Sequence, residues 1–259
     1  QLNISDDGKL RARAVVDEHV FDLAPGINLG KVAQLRTGVF AGFSETDIEI
    51  GAPERSSSNS DDGGYFAEFG YDSLDRPYFP GRGLRMRSHY AWSDANLGAD
   101  EDYEAWNTVA TGSFSFGRNS FTAVGRWAEL DLDLDSSGLS LAGADVLPAR
   151  AYTLGGFLQL SGYTRDSLAG NYLGLASLTY YRRLTEQSLL PVDMPVYAGA
   201  SIEAGNTWLE RSDAGFDELI YAGSLFLGVD SPVGPIYMGV GMAENSQYAL
   251  FLKIGQIFD

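Results

Sequence analysis

Ten segments of this chain alternate apolar and polar residues with a period of two, each over about 9–12 residues. In 33–44, Leu35, Thr37, Val39, Ala41 and Phe43 share one face, and Gln34, Arg36, Gly38 and Gly42 the other. In 64–73, Tyr65, Ala67, Phe69 and Tyr71 oppose Glu68, Gly70 and Asp72. In 83–93, Leu84, Met86, Tyr90 and Trp92 oppose Arg85, Arg87 and His89. The same pattern recurs at 104–116, 119–130, 171–183, 194–207, 219–230, 235–243 and 247–258. Each segment is long enough to cross a bilayer at a tilt, and no stretch has helical periodicity.

Two architectures alternate in this way. A soluble β-sandwich turns its apolar faces inward, whereas a transmembrane antiparallel β-barrel turns them to lipid and keeps a polar interior. Aromatic residues at strand ends, among them Tyr65, Trp92, Trp106, Trp127, Trp208 and Tyr248, favour the barrel, because such girdles mark the lipid–water boundary. The polar face also suits a barrel lumen, mixing Gly with the charges of Arg36, Glu68, Asp72, Arg85, Arg87, Arg126, Glu203 and Lys253.

Composition narrows the function classes. Lys and Arg total 18 against 35 Asp and Glu, so a net charge of −17 argues against a nucleic-acid partner. Without Cys there is no disulfide, thiolate metal site or Cys nucleophile, and two His make a His-rich metal site improbable. No Gly-x-Ser-x-Gly elbow occurs, so no catalytic residue is assigned and no enzyme activity or cofactor is expected of this chain. DLDLDSSG at 131–138 has the acids of a calcium loop but lacks its Gly at position six and its Glu at twelve, where Ser136 and Ala142 stand, so no metal is assigned.

Connections alternate short and long. Gly30–Lys31, the Pro- and Gly-rich 74–82, Gly117–Arg118, the moderate 184–193 and the SPVGP turn at 231–235 lie on one side. The stretches 45–63, 94–103, 131–170, 208–218 and the short 244–246 lie on the other, mostly acidic side. In a membrane barrel the short turns are periplasmic. Read as one strand, 9–30 gives eleven strands; a hairpin near Asp17–Glu18 gives twelve. Single-chain barrels have an even number, and the expectation is one barrel domain over 1–259 that lacks its first strands, with a long lumen-folding loop at 131–170.

The second half carries a more specific signal. ARAYTLGGFLQLSGYTRDSLAGNYLGLASLTYYRRL, PVYAGASIEAGNTW and LIYAGSLFLGVDSPVGPIYMGVG resemble the C-terminal barrel of patatin-like outer-membrane proteins, the fused phospholipase autotransporters. These belong to the superfamily that includes the outer-membrane assembly factor and the two-partner secretion transporters, and DSLDRPYFPGRG at 72–83 is similar to it too. The resemblance covers roughly 65–258. It implies a roughly sixteen-stranded barrel, an upstream patatin lipase as passenger, and a barrel that anchors and helps secrete it.

It also implies that the long loop folds into the lumen, where an Arg in an Arg-Gly-aromatic motif pairs with an acid on a neighbouring strand. Here the tripeptide is Ser161-Gly162-Tyr163, without the Arg, and the acid corresponds to Glu203. Arg165, four residues beyond Ser161, is the expected substitute. The closing segment, with Tyr248, Leu250, Leu252, Ile254, Gly255 and Phe258, looks like the C-terminal signal read by the outer-membrane assembly machinery. Expected partners are therefore that machinery, outer-membrane lipids and lipopolysaccharide, the chain's own N-terminal passenger and, as one option, a second barrel.

Overall fold

A computed structural model describes residues 2–6, 9–50, 58–132, 152–184 and 194–255. Fifteen strands appear in chain order: β1 (Leu2–Asp6), β2 (Lys9–Leu23), β3 (Gly26–Leu29), β4 (Ala33–Ile50), β5 (Ser58–Asp72), β6 (Gly83–Ser93), β7 (Tyr103–Phe116), β8 (Asn119–Leu132), β9 (Tyr152–Leu154), β10 (Leu168–Gly170), β11 (Tyr172–Arg183), β12 (Val196–Trp208), β13 (Ile220–Ser231), β14 (Gly234–Ala243) and β15 (Gln247–Ile254). Among the described residues the only helical elements are four single 3₁₀ turns.

One antiparallel sheet holds all but β9 and β10, in the order β1-β2-β4-β5-β6-β7-β8-β11-β12-β13-β14-β15. Every neighbour is also a chain neighbour, except where the β9–β10 hairpin intervenes. β3 continues β2 along β4 in the same register, since Leu23 faces Val39 and Gly26 faces Arg36. Between them Pro25 lacks an N–H for the ladder, yet its carbonyl still accepts from Thr37 N at 3.2 Å. The path is therefore twelve strands wide, with 9–29 as one interrupted strand.

The reading of 9–30 as one strand agrees with this, and the alternative hairpin at Asp17–Glu18 does not form, since both sit mid-strand opposite Glu45 and Ser44. The extra strand is β1, joined to β2 across Asp7-Gly8. The stretch 45–63 is also not one long loop: β4 and β5 pair out to Thr46–Ser58, which leaves 51–57 as the connection.

The two faces of the sheet follow the alternation. Leu35, Val39 and Phe43 on β4, Trp106, Phe114 and Phe116 on β7, Leu225 and Leu227 on β13, and Tyr248, Leu250, Leu252 and Ile254 on β15 are exposed. The opposite face carries the buried Thr111, Thr122, Thr179, Tyr181, Glu203 and Tyr237. In a soluble sandwich these populations would be exchanged, and a second sheet would cover the apolar face. On β7 the outward Trp106 and Phe116 lie ten residues apart. At about 3.3 Å per residue and a tilt near 40° this is about 25 Å of height.

The inner face is concave. β10 approaches both β12 and β1, so distant parts of the wall meet around one hairpin. The turn between β5 and β6 adds a second bridge. Asp75 accepts from Gly81 N at 2.8 Å and Arg82 N at 3.1 Å. This folds 73–82 back on itself and directs Phe79 inward. Its ring stacks on Tyr197 at 4.1 Å, lies 5.1 Å from Tyr237 and meets Tyr181 edge-on at 5.6 Å. The Tyr181 hydroxyl donates to the Pro80 carbonyl. Gly228 leaves the space that the Phe79 ring fills. The sequence reading treated 74–82 as a plain turn; the structure makes it a plug.

Candidate functional site: the hairpin held inside the sheet

β9 and β10 pair through Tyr152↔Gly170, Thr153↔Ala169 and Leu154↔Leu168, and the loop between them carries the Ser-Gly-Tyr tripeptide. Leu154, Leu160 and Ser161 are fully buried, and Phe157 and Leu158 nearly so. The loop is compact: Gln159 N donates to Gly156 O at 3.0 Å and Tyr163 N to Leu160 O at 2.9 Å. Leu158 and Leu160 hold positive φ of 61° and 70°. Such a conformation costs of order 1–3 kcal/mol per residue and persists where the surroundings fix it.

Glu203 supplies that fixation. Its carboxyl group, 3% exposed on the inner face of β12, accepts from Ser161 N at 2.7 Å and from Ser161 Oγ at 2.6 Å. Ser161 Oγ in turn accepts from Leu158 N at 2.9 Å. On the wall side Ser201 Oγ donates to Glu203 at 2.5 Å and lies 2.7 Å from Ser224 Oγ. The acid thus joins the hairpin tip to β12 and β13. A carboxylate is acceptor-only and offers about four lone-pair positions, so three donors suit it.

Two glycines permit the approach to β14. A Cβ on Gly241 would lie 1.9 Å from Ser161 O, and one on Gly162 would lie 2.2 Å from Ala243 N. Tyr163 packs with Leu154, Leu160, Leu173 and Leu175, and Phe157 joins Phe79, Tyr181, Tyr197, Phe226 and Tyr237. The hairpin tip and the 73–82 turn therefore share one apolar cluster.

Arg165 does not take the role expected of it. Its side chain is 89% exposed and its guanidinium pairs with Asp166 at 3.2 Å, away from Glu203. The lock is made by a backbone N–H and a serine hydroxyl. Among the other inner-face charges, Arg126 reaches Thr153 O of β9 at 3.4 Å. Arg36 bridges Asp22 at 2.9 Å and Glu68 at 3.1 Å, and Arg85 pairs with Asp72 at 2.9 Å. Arg87 and Lys253 occupy inner-face registers opposite Gly70 and Tyr237. Of the closing segment, Tyr248, Leu250, Leu252 and Ile254 are exposed, Gly255 N donates to Pro235 O at 2.9 Å, and Phe258 lies outside the described residues. So does most of DLDLDSSG.

The sequence reading missed the plug residues Phe79 and Pro80. The available signal was YFP inside a turn, where large aromatics have no reason to face water. Replacing Phe79 with Ala should destabilise the fold by about 3–5 kcal/mol, as for other buried Phe truncations. The check is the urea midpoint for unfolding in detergent; an unchanged midpoint would remove the plug's structural role.

No protein-family model and no curated protein matches the sequence. Among solved structures the chain is similar to BamA from Haemophilus ducreyi lacking POTRA domains 1–3, with a TM-score of 0.69 and 16% identity over 94% of this chain. It spans about half, 53%, of that chain. A likeness at this identity concerns the fold, and that fold is an antiparallel β-barrel.

Proposed function

We propose that the chain inserts in the bacterial outer membrane as a translocator and anchor barrel, and that it secretes or displays an upstream patatin-like lipase. The observation that carries the membrane reading is the outer face. Exposed aliphatic and aromatic residues cover about 25 Å of height, the height of the apolar band on such barrels, around an inner face of hydroxyls and ion pairs. Short turns would then face the periplasm and acidic connections the outside, where divalent cations could bridge them to lipopolysaccharide. The exposed β15 segment suits recognition by the assembly machinery. Any phospholipase chemistry is assigned to the passenger and none to the barrel.

The passenger is inferred from the sequence resemblance and supported by the barrel fold. A passive pore is the alternative, and a hairpin and a turn packed together inside the sheet favour an anchor over an open channel. The deciding experiment is the intact mass and N-terminal sequence of the native polypeptide from outer membranes. A polypeptide far heavier than 28.0 kDa with a patatin-like N-terminal part is expected. A native product that begins at Gln1 would remove the lipase.

A further inference from the structure

The 73–82 turn is built as a body of its own. Ser73 N donates to Leu84 O at 2.8 Å, Asp75 N to Arg82 O at 2.9 Å, and the Asp75 carboxylate holds Gly81 N and Arg82 N. All of these bonds lie within 73–84, so they hold the turn together whether or not it touches the rest of the sheet. Its ties to the far wall are of another kind. They include the ring contacts of Phe79, a hydrogen bond from Arg76 to the Tyr197 hydroxyl, and the donation from Tyr181 to Pro80 O.

The receiving side is set by strand ladders that the turn does not enter. Tyr181, Tyr197 and Tyr237 belong to β11, β12 and β14, and Gly228 of β13 pairs with both Tyr197 and Tyr237. A Cβ at Gly228 would lie 2.6 Å from the Phe79 ring, so the glycine makes the slot. Two features show that the turn is an imperfect occupant. Phe79 has a φ of 45°, in the left-handed region that a residue with a Cβ adopts only at a cost. The Tyr237 hydroxyl is buried and has no hydrogen-bond partner among the described residues, whereas a buried phenol usually finds one. An extended chain can present the same ring at relaxed φ, and it brings further backbone carbonyls to the unused donor.

We propose that Tyr181, Tyr197 and Tyr237 form a binding cage for an aromatic side chain of an extended polypeptide, and that Phe79 occupies it as an internal ligand until such a chain displaces the turn. This deepens the translocator reading above and rests on it, since the external ligand is an aromatic residue of a chain in passage. The chemistry of that ligand is read from the stretch the cage already holds, Tyr78-Phe79-Pro80. Stacked and edge-on ring pairs accept aromatic side chains without regard to the sequence around them.

The test is fluorescence polarisation of the detergent-purified chain with two labelled peptides, Arg-Pro-Tyr-Phe-Pro-Gly and Arg-Pro-Ala-Ala-Pro-Gly. Asp75→Ala leaves the cage intact but frees the undocked turn, and docking must then remove that freedom. The cage stands open more often, so the aromatic peptide should bind this variant about tenfold more tightly than wild type. Adding Gly228→Val, which fills the slot, should abolish that binding, and the alanine peptide should bind neither form. Equal affinity of wild type and Asp75→Ala for the aromatic peptide overturns the inference, as does equal affinity for the two peptides. A second measurement needs no variant to fold. At millimolar concentration, the aromatic peptide with benzoylphenylalanine in place of its Phe should crosslink wild type on β11, β12 or β14; crosslinks elsewhere, or none, overturn the inference. Neither assay needs a passenger, so their failure removes the cage and leaves the anchor reading standing, whereas a native product without a lipase removes the passenger and leaves peptide binding as measured.

Discussion

Replacing Glu203 with Ala should release the β9–β10 hairpin from the wall. The substitution leaves Ser161 N–H and Ser161 O–H without their acceptor in a buried site. Each orphaned donor costs about 1–3 kcal/mol. A loss near 3 kcal/mol raises the open population by about two powers of ten, since 1.4 kcal/mol is tenfold. Ser201 loses less, because Ser224 remains within reach. The readout is chymotrypsin cleavage at Phe157 and Leu160, which the native packing buries. The strands should stay intact, because their ladders do not use the Glu203 side chain. Glu203→Gln should fall between, keeping one acceptor but setting an NH₂ group among donors. Cleavage at the wild-type rate in Glu203→Ala would mean that packing alone holds the hairpin.

Gly241→Val should have an effect at least as large, by a different route. The new Cβ falls 1.9 Å from Ser161 O and 2.5 Å from Ser161 C. Both are backbone atoms, so no rotamer change relieves the clash; either the hairpin leaves β14 or the strand deforms. Gly70→Ala is the matched control, because a Cβ there meets nothing within 4 Å. In planar bilayers Gly241→Val should raise single-channel conductance several-fold over wild type, with Gly70→Ala indistinguishable from wild type. A closed Gly241→Val channel would show that the hairpin does not obstruct the interior.

The strands were legible in the sequence because one face meets a uniform apolar surround, which makes period-2 alternation unusually clean. Ile202 against Glu203 and Met238 against Tyr237 show it residue by residue. The extra strand was less legible. Asp17–Glu18 is a weak turn signal, while the stronger turn dipeptide, Asp7-Gly8, lies ten residues earlier. The 45–63 stretch reads as a loop by its acids, and Thr46, Ile48 and Ile50, although spaced by two, fall in the phase of Gln34 and Arg36 and so do not extend the apolar face of Leu35 to Phe43. At the candidate site, Ser161 and Glu203 were each identified and the structure brings them together. Their chemistry was misjudged, because the reading sought a cation for the acid. A buried carboxyl group needs donors, and a peptide N–H beside a hydroxyl supplies two. The inward turn at 73–82 depends on Tyr181 and Tyr197, and no local pattern reports a partner a hundred residues away.

That distance has a kinetic consequence. Pro80 and Tyr181 are 101 positions apart along the chain, and the rings around Phe79 come from β11, β12 and β14. Until β11, β12 and β14 are in place, 73–82 presents two aromatics and two prolines with nowhere to bury them. Contacts of such long range slow folding, because the chain between them must be ordered first. Arrival of the last strands therefore does more than extend the wall: it buries the early turn, and it ties completion of one half of the molecule to the integrity of the other.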